Sequence, residues 1–91
     1  MSLTITYRNF VTLNRTAIKN STECGCVYCM ETFDPLQVIE WCSDYDEVKQ
    51  QFCEDTALCP KCGIDSVVPN YLIKYTKDDL IRWRIQGFGY V

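Results

Sequence analysis

The chain of 91 residues contains no histidine. Without an imidazole there is no Cys–His or Ser–His pair, and the commonest general base of enzymes is missing. We therefore expect a protein that is not an enzyme. No uninterrupted apolar run approaches the roughly 20 residues that a membrane helix needs. The opening "MSLTITYRNF" lacks a basic segment leading into an apolar stretch, and it lacks a small-residue cleavage site, so no secretory signal is expected. Internal repeats, low-complexity tracts and linkers are also missing. These absences predict one domain over residues 1–91 in a reducing cytoplasm, where thiols persist and disulfides are rare.

Acidic residues are missing from positions 1–22, which carry Arg8, Arg15 and Lys19. They concentrate instead over 31–55, where Glu31, Asp34, Glu40, Asp44, Asp46, Glu47, Glu54 and Asp55 face Lys49 alone. An acidic middle disfavours nucleic-acid binding through that segment, because duplex affinity depends on cations that displace counterions. The bland reading of the same charges is a solvated surface.

What the sequence does have is a folded chain's composition, 47% apolar and 13% aromatic, together with seven cysteines. A core this small stabilises a domain only marginally, so disulfides or a metal often reinforce it. Cys26-Val-Tyr-Cys29 and Cys59-Pro-Lys-Cys62-Gly63 are C-x-x-C pairs. One such turn presents two sulfurs to a metal, and the glycine lets the chain leave with positive φ. Two pairs at this separation predict a four-cysteine zinc site of Cys26, Cys29, Cys59 and Cys62, closed by protein sulfur and thus structural. A dithiol redox centre fits less well, because proline inside "CPKC" followed by glycine is a poor helix start. Cys42 and Cys53 read as small buried apolar residues on helix faces. Cys24 stands as an alternative to Cys26 as ligand, or as a thiol beside the site.

The alternation in "LTITYRNFVTL" predicts a strand somewhere in residues 3–13. "NRTAIKNS" predicts a helical turn capped by Asn14, and "CGCVYC" a tight turn. Asp34-Pro35 reads as a helix start. The spacing of Leu36, Val38, Ile39, Trp41 and Cys42, then of Tyr45, Val48 and Phe52, predicts two helices or one kinked helix over 35–53. Asp44-x-x-Glu47 resembles a second cap. "IDSVVP" and "YLIKYT" read as short strands around a Pro69-Asn70 turn. Thr76-x-x-Asp79 opens a helix at Lys77–Ile85 with Leu80, Ile81 and Trp83 inside and Gly87 as terminator. Asp65 is expected to accept turn N–H groups and Ser66 to start a strand.

"CGCVYCMETF", "PLQVIEW" and "ALCPKCGIDSV" together resemble a family of small uncharacterised bacterial and phage cytoplasmic proteins over roughly residues 14–85. The resemblance implies a zinc-ribbon-like module liganded by Cys26, Cys29, Cys59 and Cys62, and supplies no reaction. The expected architecture is a small zinc-stabilised α+β domain, a double knuckle with short strands and two to three helices. An acidic helical insertion occupies about 42–56. The expected function is a structural-zinc interaction module that binds a protein partner, with Trp41, Asp44, Tyr45, Asp46 and Glu47 as contacts. If the chain is phage-encoded, the partner is a host protein in the host cytoplasm. The alternative is a nucleic-acid-binding zinc ribbon using Lys61, Lys74, Lys77, Arg82 and Arg84 with Tyr71, Tyr75, Trp83 and "GFGYV".

Overall fold

The structure, a computed structural model, describes residues 8–88. Two short helices, α1 (Arg8–Val11) and α2 (Arg15–Lys19), precede strands β1 (Cys24–Cys26) and β2 (Thr32–Phe33). One turn of 3-10 helix, Pro35–Gln37, leads into β3 (Trp41–Asp46) and β4 (Gln51–Ala57). β5 (Val67–Pro69) and helix α3 (Lys77–Phe88) complete the order. The fold is a small α+β arrangement of one three-stranded antiparallel sheet, β2-β1-β5, and one antiparallel ribbon, β3-β4.

Successive residues of a strand face opposite ways, and β5 uses this to serve two cores. Val67 packs with Ile18, Cys24, Cys26, Phe33, Val38, Ala57 and Cys59, whereas Val68 packs with Val11, Val27, Leu80 and Trp83. The Cys-Gly-Cys segment, expected to be a tight turn, is the central strand, and the turn follows it at 27–29. Gly25 serves packing here. The Tyr75 ring lies over it, and an added Cβ would come within 2.9 Å of Tyr75 Cε1. The Tyr75 hydroxyl donates to Glu23 Oε1 at 2.8 Å, which holds the ring in place.

Several expectations need correction. Positions 3–7 of the expected N-terminal strand lie outside the described residues, and Arg8–Val11 is a helical turn, with Val11 buried in the second core. Asn14 does precede α2, but its side chain makes no cap hydrogen bond. "YLIKYT" forms a turn and an irregular stretch, with Ile73 and Tyr75 packed against the second core. The Thr76/Asp79 capping box is present: the Asp79 carboxylate accepts the Thr76 N–H at 2.8 Å, and the Thr76 hydroxyl accepts the Asp79 N–H at 3.2 Å. Leu80 and Trp83 are buried, while Ile81 is exposed. The helix continues through Gly87 because Phe88 meets the Tyr28 ring edge-on at 5.0 Å.

The largest difference concerns the expected helices over 35–53. Asp34 does cap a helical turn, accepting the Leu36 N–H at 2.8 Å, and Gln37 Oε1 accepts the Asp34 N–H at 3.0 Å. The helix ends there, and β3 and β4 form a hairpin. Trp41, Tyr45, Phe52 and Thr56 suit a pleated surface better than a helix. The Asp46 carboxylate accepts the N–H groups of Val48 and Lys49 at 2.9 and 3.2 Å, building a turn where a helix cap was expected at Asp44. Tyr45 and Phe52 are directly opposite each other, with ring centroids 5.2 Å apart. Their spacing in sequence therefore marks a cross-strand pair, not two turns of one helix face. Cys42 and Cys53 sit half-buried on these strands.

Candidate metal centre

The two C-x-x-C segments fold by one rule. Knuckle one turns the chain from β1 into β2, and knuckle two connects β4 to β5. In the first, the Cys26 N–H donates to the Glu31 carbonyl at 2.9 Å, and the Met30 N–H donates to the Cys26 carbonyl at 2.8 Å. In the second, the Cys59 N–H donates to the Ile64 carbonyl and the Gly63 N–H to the Cys59 carbonyl, both at 2.9 Å. The residue after the second cysteine has positive φ in each, 61° at Met30 and 80° at Gly63. The second is the glycine the sequence pointed to. The first is a methionine whose side chain packs against the second core and offsets the backbone cost.

A Cβ at Gly63 would have open space around it, so Gly63→Ala isolates the backbone term. We expect it to lower stability by about 1–2 kcal/mol while leaving the metal stoichiometry unchanged, read by urea unfolding of the metal-loaded protein.

The four sulfurs converge. Those of Cys26, Cys29, Cys59 and Cys62 all lie within 4.8 Å of one another. Cys26 and Cys62 approach to 3.6 Å and Cys29 and Cys59 to 3.8 Å. Metal–sulfur bonds of about 2.3 Å in a tetrahedron place sulfurs about 3.8 Å apart. The donor set therefore fits one tetrahedral ion. None of the seven cysteines is in a disulfide.

The surroundings favour bound sulfur. Each sulfur accepts a hydrogen bond from the backbone N–H two residues ahead, from Tyr28, Glu31, Lys61 and Ile64 respectively. Cys26 also accepts from the Cys29 N–H at 3.5 Å and lies 3.2 Å from the Ser66 hydroxyl. Burial alone raises the Cys26 pKa, but these hydrogen bonds outweigh it and bring the thiol below its ordinary value. Cys29 moves the other way, up to about 11, through burial and the repulsion of the Cys26 thiolate. Cys62 is raised for the same two reasons. Four thiolates so close cannot all be charged without a cation between them.

Cys24 is outside this cluster and fully buried. Its thiol is pushed up to about 12, first by burial and then by Asp34 and Glu23. It is a neutral core residue, and of the two readings Cys26 is the one in the cluster. Cys24→Ala is expected to cost about 1 kcal/mol and to leave metal content unchanged by elemental analysis, whereas Cys26→Ala abolishes binding.

Ser66, read from sequence as a strand start, immediately precedes β5 and is the buried partner of Cys26. Asp65 is exposed, and its negative charge adds to burial in raising the Cys42 thiol.

Trp41, Asp44, Tyr45, Asp46 and Glu47 do not form one surface. Trp41 is half-buried against the first core, with the Arg15 guanidinium 4.6 Å above its ring. Asp44 accepts the Thr56 hydroxyl at 2.6 Å. Tyr45, Glu47, Val48 and Phe52 are exposed at the far end of the hairpin.

The basic residues near the C-terminus are largely engaged. Arg82 lies 3.7 Å from Asp79, Arg84 lies 5.5 Å over the Tyr28 ring, and Lys77 donates to the Met30 carbonyl at 3.3 Å. Trp83 is buried, and the last three residues of "GFGYV" lie outside the described residues. Among the described residues no helix is long and apolar enough to cross a membrane.

No protein-family model matches the chain, and no curated protein or solved structure matches it at a significant level.

Proposed function

We propose that the protein is a structural-zinc interaction module that offers its acidic β3–β4 hairpin to a protein partner. Zinc is the preferred ion because thiolates are soft ligands and a tetrahedron of four sulfurs suits it, with iron as the competing ion. The observation that carries the metal assignment is the convergence of two identically built knuckles on four sulfurs. Since protein sulfur closes every position, the ion has no open site for water, and its role is to fix the fold. Two knuckles bordering a three-stranded antiparallel sheet also support a zinc-ribbon-like description. The resemblance to small bacterial and phage proteins supports a cytoplasmic setting, with a host factor as the partner of a phage-encoded chain.

The hairpin supports the partner reading. Val48 and Phe52 are 94% and 72% exposed, amid Asp46, Glu47 and Glu54. Exposed apolar groups rimmed by charge mark interaction sites. The test is affinity capture with the metal-loaded protein and with a Glu47→Gln, Phe52→Ser variant, neither residue being in the core. The reading expects a captured protein that is lost with the variant and weakened by salt. Equal capture by both forms contradicts it. The engaged cations and buried Trp83 of the C-terminal segment favour this reading over nucleic-acid binding.

A further inference from the structure

We propose that the hairpin takes its partner by strand addition: an extended segment of a basic protein, alternating cationic and apolar side chains, pairs along the free edge of β3. The proposal rests on the reading of the hairpin as a partner-binding element and adds the chemistry of what binds there.

The two edges of the ribbon are finished differently. On the β4 side, the Ala57 N–H donates to the buried Asn14 Oδ1 at 3.0 Å, and the Glu54 carbonyl accepts from Arg15 at 3.1 Å. The Thr56 hydroxyl accepts the Leu13 N–H at 2.8 Å, and Arg15 reaches the Asp55 carboxylate at 3.8 Å. Helix α2 and the residues before it close that edge. Among the described residues, β3 has β4 on one side and no strand on the other. Among the described residues, no hydrogen bond from outside the ribbon reaches the main chain of 41–46. Unpaired edges of this kind are templates for added strands.

β3 is also regular. The pairing of Cys42 with Thr56 and of Asp44 with Cys53 leaves Glu54 and Asp55 opposite Ser43, so the bulge belongs to β4. Along β3 the side chains alternate. Cys42, Asp44 and Asp46 share one face, and Trp41, Ser43 and Tyr45 the other. Glu40 precedes the strand and Glu47 follows it, both exposed. A strand laid beside it therefore meets carboxylates on one face and the exposed Tyr45–Phe52 pair on the other. Cations on the first face and apolar groups on the second complement it. A second copy of this chain would bring carboxylates against carboxylates, and directly opposed like charges are destabilising. The acids thus select a basic strand and discourage self-pairing.

The experiment is a titration of the isotope-labelled, metal-loaded full chain, followed by amide shifts and amide hydrogen exchange. The probe is a synthetic peptide alternating lysine and valine. The controls are the same peptide with every backbone amide N-methylated, and a glutamate–valine peptide. Strand addition expects shifted and protected amides in 41–46 with the first peptide only, weakened but not removed by salt. Equal perturbation by the N-methylated peptide overturns strand addition while leaving a charge-driven hairpin contact standing. No perturbation by the lysine–valine peptide overturns strand addition, and the capture experiment above then decides the hairpin reading separately. Protection of 41–46 in the peptide-free protein, growing with concentration in step with a sedimenting dimer, assigns the edge to a second copy and overturns the proposal.

Discussion

Cys59→Ser, and equally Cys62→Ser, is expected to release the metal and abolish cooperative folding, read as loss of near-ultraviolet dichroism and of amide dispersion. A structural zinc in small peptides contributes about 10–16 kcal/mol of folding free energy at neutral pH, against a net stability of about 5–15 kcal/mol for a whole domain. Cys59 is buried in the first core, so its loss is felt in packing as well as in coordination. The knuckle containing Cys59 and Cys62 is also the connection between β4 and β5, and so between the hairpin and the sheet. A hydroxyl is a poor replacement for a soft thiolate, and the remaining sulfurs would repel unless protonated. Cys53→Ser is the control. It lies on the hairpin outside the cluster, and metal stoichiometry should be unchanged.

The second large effect is expected at Asn14. This side chain is 2% exposed and joins the neighbouring helix α1 to two strands that are distant in sequence. Its Nδ2 donates to the Val67 carbonyl at 2.8 Å and the Phe10 carbonyl at 3.0 Å, while its Oδ1 accepts the Ala57 N–H at 3.0 Å. β5, α1 and β4 are thereby held together by one residue. Asn14→Ala removes two buried hydrogen bonds and one part-buried one, and takes this partner from three main-chain groups, at a cost of about 3–5 kcal/mol. Urea unfolding of metal-loaded protein should show a lower midpoint with an unchanged slope. Asn14→Ser keeps one donor and one acceptor but is too short for all three partners, so its loss should be nearly as large.

Sequence signals were strongest where one short segment determines its own geometry. Each C-x-x-C unit, the Asp34 cap with Pro35, and the Thr76/Asp79 box are local, and each appears in the structure as expected. The four-cysteine cluster was therefore readable, with Cys26 in it and Cys24 outside. The hairpin was not, because Tyr45, Val48 and Phe52 satisfy a helical period and a strand–turn–strand pattern alike. What separates these is tertiary: Thr56 and Ala57 are tied to Asp44, Leu13 and Asn14, two of them outside the ribbon. Asn14 was readable only as a local cap, since two of its three partners, Ala57 and Val67, lie more than 40 residues away. Met30 gave no signal at all, because a methionine at positive φ becomes visible only once the two knuckles are compared.

Elemental analysis of the reduced, natively purified chain, set beside thiol counting and mass, probes the four-sulfur centre most directly. One zinc atom per chain, removed by chelator together with the folded signal, is the expected result. A folded chain that carries no metal, or one in which Cys26, Cys29, Cys59 and Cys62 are joined to each other in disulfides, would contradict it.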